Sequence, residues 1–327
     1  MSTKEKIRDL FNKHKELTVT EIANELFVSK QSVHKSLNQL VEENVIEKIG
    51  RTPKTIYRKI SKPIIDKKPL QEIFVKDGQY LEENFLLITE IGEMLNGAAG
   101  FELWCRKRNL PFKKTVAEFI QTNTKYHLYR DNNGLISGLE KIKNTKGYEK
   151  IYLDELLYLD FYAIERFGKT RLGTILHYAK QGQNRMLMNM LIAEIKPKIN
   201  EIIHDFKIDA IAYVPPTIKR ETQLMKVLAT GLKITLPQIE IRKISGIIPV
   251  PQKSLNKIED RISNAENTFA VRSLAKFKNL LLIDDAVGSG STLNQIAGKI
   301  KDRKIAKKII GLAIVGSFED FDVITDV

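Results

Sequence analysis

Apolar positions in the first sixty residues recur at helical spacing and then switch to strand-like runs. Ile22 and Leu26, followed by Val33, Leu37, Leu40 and Val41, turn one face of successive helices inward. The pattern predicts helices over 3–13, 20–27 and 30–43, the last two joined by the turn Val28-Ser29 with Ser29 as N-cap. Val45–Ile49 and Thr55–Ile60 read as two strands around the turn Gly50-Arg51-Thr52-Pro53-Lys54. Ser61-Lys62-Pro63 and Lys67-Lys68-Pro69 then break the periodicity and read as a linker.

Beyond the linker, Phe101, Leu103, Leu110 and Phe112 surround the sole tryptophan, Trp104, which is expected in the core despite the adjacent Arg106-Lys107-Arg108. Residues 151–205 read as helical, from Leu153, Leu156, Leu157, Phe161 and Ile164 and again from Met186 to Ile203. From Asp209 onward, short β-rich runs at Ala210–Val214, Ile239–Ile241, Leu280–Ile283 and Ile309–Val315 alternate with amphipathic segments. That alternation predicts a parallel α/β sheet. The expected division is 1–62, a linker at 63–69, a mixed α/β middle region at 70–150, and a carboxy-terminal domain at 151–327.

Composition narrows the classes. A chain of 327 residues fits about two domains. Its single cysteine, Cys105, cannot form an internal disulfide or a cysteine-rich zinc site, so a reducing compartment is expected. No run approaches the ~20 uncharged residues of a membrane span, and a cytoplasmic protein with no membrane partner is expected. The excess of 53 Lys+Arg over 40 Asp+Glu, a formal net charge of +13, suggests a polyanionic partner.

The third predicted helix carries Lys30, Gln31, Ser32, His34, Lys35 and Asn38 away from its apolar stripe, groups that can reach phosphates and base edges. Eight Lys/Arg against one acid lie between Lys48 and Lys68, among them Arg51, Lys54 and Arg58 in and beside the predicted turn. The segment from Thr18 to Arg58 resembles the winged helix-turn-helix superfamily. The resemblance implies that Lys30, Gln31, Ser32, Lys35, Asn38, Arg51, Lys54 and Arg58 contact duplex DNA. A winged helix used for protein contacts or dimerisation is the alternative, and a second copy of the chain is a candidate partner.

The most informative run is Leu280-Leu-Leu-Ile-Asp284-Asp285-Ala-Val-Gly288-Ser289-Gly290-Ser291-Thr292, an apolar strand ending in two acids before a small-residue loop that opens a helix. Backbone amides at such a helix start, reinforced by Ser and Thr hydroxyls, suit a phosphate. Asp284 and Asp285 suit a vicinal diol. No Lys follows the second glycine, so this is not a Walker loop. A plain glycine-rich strand-to-helix turn is the alternative.

The run resembles the phosphoribosyl pyrophosphate signature of type I phosphoribosyltransferases, and upstream residues are similar to the ComF-like branch. Val214-Pro215-Pro216, Lys219-Arg220 and Leu228-Ala229 look like that family's first strand and basic loop; Gln252, Leu255, Arg261, Asn264 and Phe269 follow its spaced pattern. The family's Arg-Gly-Phe-Asn-Gln is here Arg220-Glu221-Thr222-Gln223-Leu224, and its cysteine-rich zinc element is missing.

The resemblance implies Mg²⁺ and phosphoribosyl pyrophosphate, with the 5′-phosphate held by Gly288, Ser289, Gly290, Ser291 and Thr292, and the ribose and metal at Asp284 and Asp285. Lys219, Arg220 and Arg261 would stabilise the leaving pyrophosphate. Purine-salvage relatives often place an acid where this chain has Gly288, so no base-handling group is visible. Two functions fit: a transferase or nucleotide-cleaving enzyme recruited to nucleic acid, or a regulator that senses phosphoribosyl pyrophosphate or a nucleotide. The domain plan is similar to that of purine repressors and of accessory effectors in some retron anti-phage systems.

Overall fold

The amino-terminal fold is built from three helices and three short strands. These are α1 (Thr3–Lys13), β1 (Glu16–Leu17), α2 (Val19–Leu26), α3 (Lys30–Glu42), β2 (Ile46–Ile49) and β3 (Ile56–Lys59). The computed structural model describes residues 2–43, 45–49, 55–59, 75–144, 148–216, 218, 220–244 and 268–317. The chain divides into two units, Met1–Leu70 and Gln71–Val327.

In the first unit, local chemistry sets the helix starts. Thr18 Oγ1 accepts from the Glu21 backbone N–H while the Glu21 carboxylate accepts from the Thr18 N–H at 2.6 Å, a reciprocal capping box that moves the start of α2 ahead of Thr20. The two hydrogen bonds from Thr18 hold the Glu21 carboxyl below its usual range. Ser29 caps α3 as expected, its Oγ accepting from Ser32 N–H. The core contains Ile7, Phe11, Ile22, Val33, Leu37, Leu40, Ile46 and Tyr57. The strands pair antiparallel in the order β1-β3-β2, with Glu16 opposite Arg58.

The second unit opens with α4 (Val75–Asn84), β4 (Leu86–Ile88), β5 (Met94–Asn96), α5 (Gly97–Lys107), α6 (Phe112–His127), β6 (Ile136–Ser137) and α7 (Leu139–Asn144). Trp104 is buried as expected, in an aromatic cluster with Phe85, Phe101, Phe119 and Phe167, and the Arg108 guanidinium lies 4.3 Å from its ring centre.

Residues 151–164 are not helical. They form β7 (Glu155–Phe161) and β8 (Ala163–Ile164), followed by β9 (Gly168–Lys169), α8 (Arg171–Gln181) and α9 (Arg185–Asp205). β7 is covered on both faces, so its continuous run from Leu156 to Leu159 mimics the spacing of a helix stripe. The α/β alternation follows with β10 (Ala210–Tyr213), α10 (Leu224–Gly231), β11 (Gln238–Lys243), β12 (Phe269–Arg272), β13 (Phe277–Val287), α11 (Ser291–Asp302) and β14 (Ala306–Gly316).

Seven of the described strands make one sheet, in the order β12-β11-β10-β13-β14-β7-β6. The five central strands are parallel and the two edge strands antiparallel. Both β6 and β7 belong to this sheet, and apolar residues of α4–α7 share one core with Leu280 and Leu282. The middle region and the carboxy-terminal residues thus form one unit. From β10 the chain passes through α10 to β11 on one side, whereas from β13 it passes through α11 to β14 on the other. The crevice outside the carboxyl ends of β10 and β13 is therefore a topological switch point, the usual ligand position in such sheets.

Candidate functional site

In the first unit, α3 presents Lys30, Gln31, His34, Lys35 and Asn38 to solvent, with Ser32 half-buried; Val33, Ser36, Leu37 and Leu40 face inward. The helix period produces this separation, and it leaves a polar face free of core duties. Arg58 sits on β3 with its guanidinium on Glu47 (2.9 and 2.6 Å) and 3.9 Å from Glu16, so its charge is already partnered within the sheet. Arg51 and Lys54 lie outside the described residues.

In the second unit, the loops after β10 and β13 flank the switch point. Tyr213 pairs with Ile283 and Val214 N–H donates to the Ile283 carbonyl, which brings Val214-Pro215-Pro216 beside Asp284 and Asp285. Asp285 is buried and receives the Lys180 ammonium of α8 at 2.6 Å; Asp284 accepts from the Asp285 backbone N–H at 2.8 Å. Burial and the neighbouring carboxylate raise Asp284, to about 7, against the opposing pull of Lys180. Lys180 was not expected from sequence. It lies about a hundred residues upstream, and only the packing of α8 on the sheet brings it in.

Arg220 turns to the end of α8, donating to the Lys180 carbonyl and to Gln181 Oε1 (2.8 Å), a favourable place for a cation at a helix C-terminus. Lys219 and Arg261 lie outside the described residues. Among the described residues no group of three or more His, Cys, Asp or Glu could hold a metal ion. Magnesium, however, commonly takes one or two carboxylates together with substrate phosphates. Half-buried Asp284 and buried Asp285, with the Lys180 ammonium on Asp285, fit that requirement.

The loop itself carries internal contacts that the sequence did not reveal. Gly290 takes φ +81°, and a Cβ there would lie 2.3 Å from Ile142 Cδ1, so glycine is required by backbone and by packing. Ser289, Gly290 and Ser291 are buried, while Gly288 and Thr292 are half-buried. Tyr148 Oη donates to the Ser289 carbonyl (2.8 Å) and also lies 2.8 Å from Ser291 Oγ, which in turn lies 2.8 Å from Ser289 Oγ. Each hydroxyl has one proton. With the Tyr148 proton on a carbonyl, Ser291 must donate to Tyr148 and Ser289 to Ser291. The Ser289 and Ser291 hydroxyls thus serve as donors inside the protein in this arrangement.

A second polar cavity of about 270 Å³ lies between α4, α6, α8, α9 and the end of β7. Two ion pairs line it, Arg130 with Asp160 (2.5 Å) and Arg171 with Glu194 (2.8 Å).

Comparison with known proteins bears on the first unit. A family model described as MarR family matches residues 10–54. This segment is a MarR-family winged helix. It spans α2, α3 and the strand that follows, the elements that carry the exposed polar face, and it supports nucleic-acid binding. No curated protein matches the chain. No described helix is long and apolar enough to cross a membrane.

Proposed function

We propose that the chain is a DNA-binding regulator whose second unit binds phosphoribosyl pyrophosphate or a nucleotide, and that ligand state sets the DNA affinity of the winged helix. The carrying observation is the switch point between β10 and β13, where two acids at a strand end meet a glycine-containing loop at a helix N-terminus. That combination offers hydroxyl acceptors, backbone N–H donors and a positive helix end within one crevice. Asp284 and Asp285 would hold the ribose hydroxyls and Mg²⁺, which supplies charge compensation to the pyrophosphate when bound. Loop 288–292 would take the 5′-phosphate.

Turnover is the second reading, favoured by the same placement of two carboxylates at a strand end beside a helix N-terminus, which could hold Mg²⁺ and the pyrophosphate-bearing substrate through a displacement. An acceptor would attack the anomeric carbon as the bond to pyrophosphate breaks, and pyrophosphate would leave with that electron pair. Fluorescence-anisotropy titrations of duplex DNA with and without saturating phosphoribosyl pyrophosphate and Mg²⁺ test the regulator. A tenfold shift requires about 1.4 kcal/mol of coupling and must be matched by an equal shift in ligand affinity when DNA is present. Equal DNA affinities with ligand demonstrably bound would remove regulation, and pyrophosphate release across a nucleobase panel would then establish turnover.

A further inference from the structure

We infer that α7 with Gly138, together with residues 148–153, forms an internal cover for the phosphate loop, with Tyr148 engaging the donors that a phosphate-bearing ligand needs. This rests on the phosphoribosyl reading of loop 288–292.

Three contacts bind the cover to the loop and to the first turn of α11, and a fourth ties it beyond β14. Tyr148 closes the chain of hydroxyls through Ser291 to Ser289. Asn294, fully buried, is held at both ends of its amide: Oδ1 accepts from Tyr152 N–H at 2.8 Å and Nδ2 donates to the Lys150 carbonyl at 2.9 Å. Ile142 lies against Gly290, the residue whose bare backbone a phosphate would have to approach. Lys141 donates to the Ser317 carbonyl, just beyond β14. The cover begins at Gly138, where a Cβ would stand 2.2 Å from the Tyr158 hydroxyl.

That hydroxyl is a sign that the closed arrangement is not the only one. Tyr158 is fully buried, its Oη has no hydrogen-bond partner among the described residues, and burial pushes its phenol up, with Tyr148 adding to the effect. A buried unpaired hydroxyl is costly, and a re-aimed Tyr148 would satisfy it. The cover therefore competes with the anion. Binding at the loop requires the Tyr148 hydroxyl to leave Ser291, which releases a donor aimed at the helix N-terminus.

Tyr148→Phe keeps the ring and removes only the hydroxyl. In calorimetric titrations of the full chain with ribose 5-phosphate, and with phosphoribosyl pyrophosphate plus Mg²⁺, it is expected to bind roughly three- to tenfold more tightly than the wild type, the range of one hydrogen bond. Ser291→Ala supplies a readout that a packing role would not move. It changes affinity little alone, because its donor is already committed, but it abolishes the gain when combined with Tyr148→Phe. Ile142→Ala, which loosens the cover without touching its hydroxyls, is expected to shift affinity in the same direction. Wild-type binding with no gain in either Tyr148→Phe or Ile142→Ala would overturn the cover and leave the phosphoribosyl reading standing. No binding by folded wild type or variants would overturn both.

Discussion

Helices α3 and α11 both begin among serines, yet the two starts differ in what they offer to a partner. At α3, Ser29 caps its own helix through Ser32 N–H, and the following turns hold Lys30, Gln31, Lys35 and Asn38 in solvent. At α11 the N-cap is Gly290, without a side-chain cap, and the flanking Ser289 and Ser291 are buried with their hydroxyls hydrogen-bonded to one another and to Tyr148. Residue type alone would rank both as polar binding surfaces. Prior commitment of the donors separates them: the first surface is open in its resting state, whereas the second must first exchange an internal partner for a ligand.

The largest test of this contrast removes one surface and asks whether the other persists. Leu37, fully buried on the inner side of α3, should cost about 2–5 kcal/mol when changed to Ala. Urea unfolding should then show an early transition accompanied by loss of DNA binding, while the circular dichroism of the large sheet survives to higher denaturant. A single shared transition would show that the two units do not unfold separately.

A smaller effect should follow from Asp284. Its folded pKa lies above the unfolded value, so the stability linked to its protonated form is fully present below about pH 4 and is lost as pH rises through about 7. Asp284→Asn should therefore raise the thermal midpoint at pH 8 relative to the wild type and flatten its fall between pH 4 and 7. An unchanged profile would mean that Asp284 ionises freely in the fold.

On the open surface, Lys30→Ala with Lys35→Ala should lower the salt slope of DNA binding by about 2 if each lysine contacts one phosphate. Smallest of all, Arg58→Ala should leave DNA affinity close to that of the wild type, because Glu47 and Glu16 already engage its guanidinium. A larger loss for Arg58 than for the lysines would reverse this ordering.

Legibility in the sequence followed the range of the interactions. The Ser29 cap, the inward stripe of Val33, Leu37 and Leu40, and the strand-acid-loop-helix run at 280–292 are set by neighbours a few positions apart, and each could be read locally. β1 could not, since Glu16 and Leu17 become a strand only by pairing with Arg58 and Tyr57. β7 was misread because burial on both faces erases the alternation that marks a half-exposed strand. The network around the loop was least visible: Tyr148 meets Ser289 and Ser291 across more than 140 residues, and Lys180 meets Asp285 across about a hundred. Such contacts leave no periodic trace.

The most direct measurement of the central claim is a calorimetric titration of the full chain with phosphoribosyl pyrophosphate and Mg²⁺, compared with the Asp284→Asn, Asp285→Asn double variant. Saturable binding near one ligand per chain in the wild type, weakened at least about tenfold in a folded double variant through loss of charge-assisted contacts, is the predicted result. Equal binding by both proteins, or none by the wild type, would contradict it.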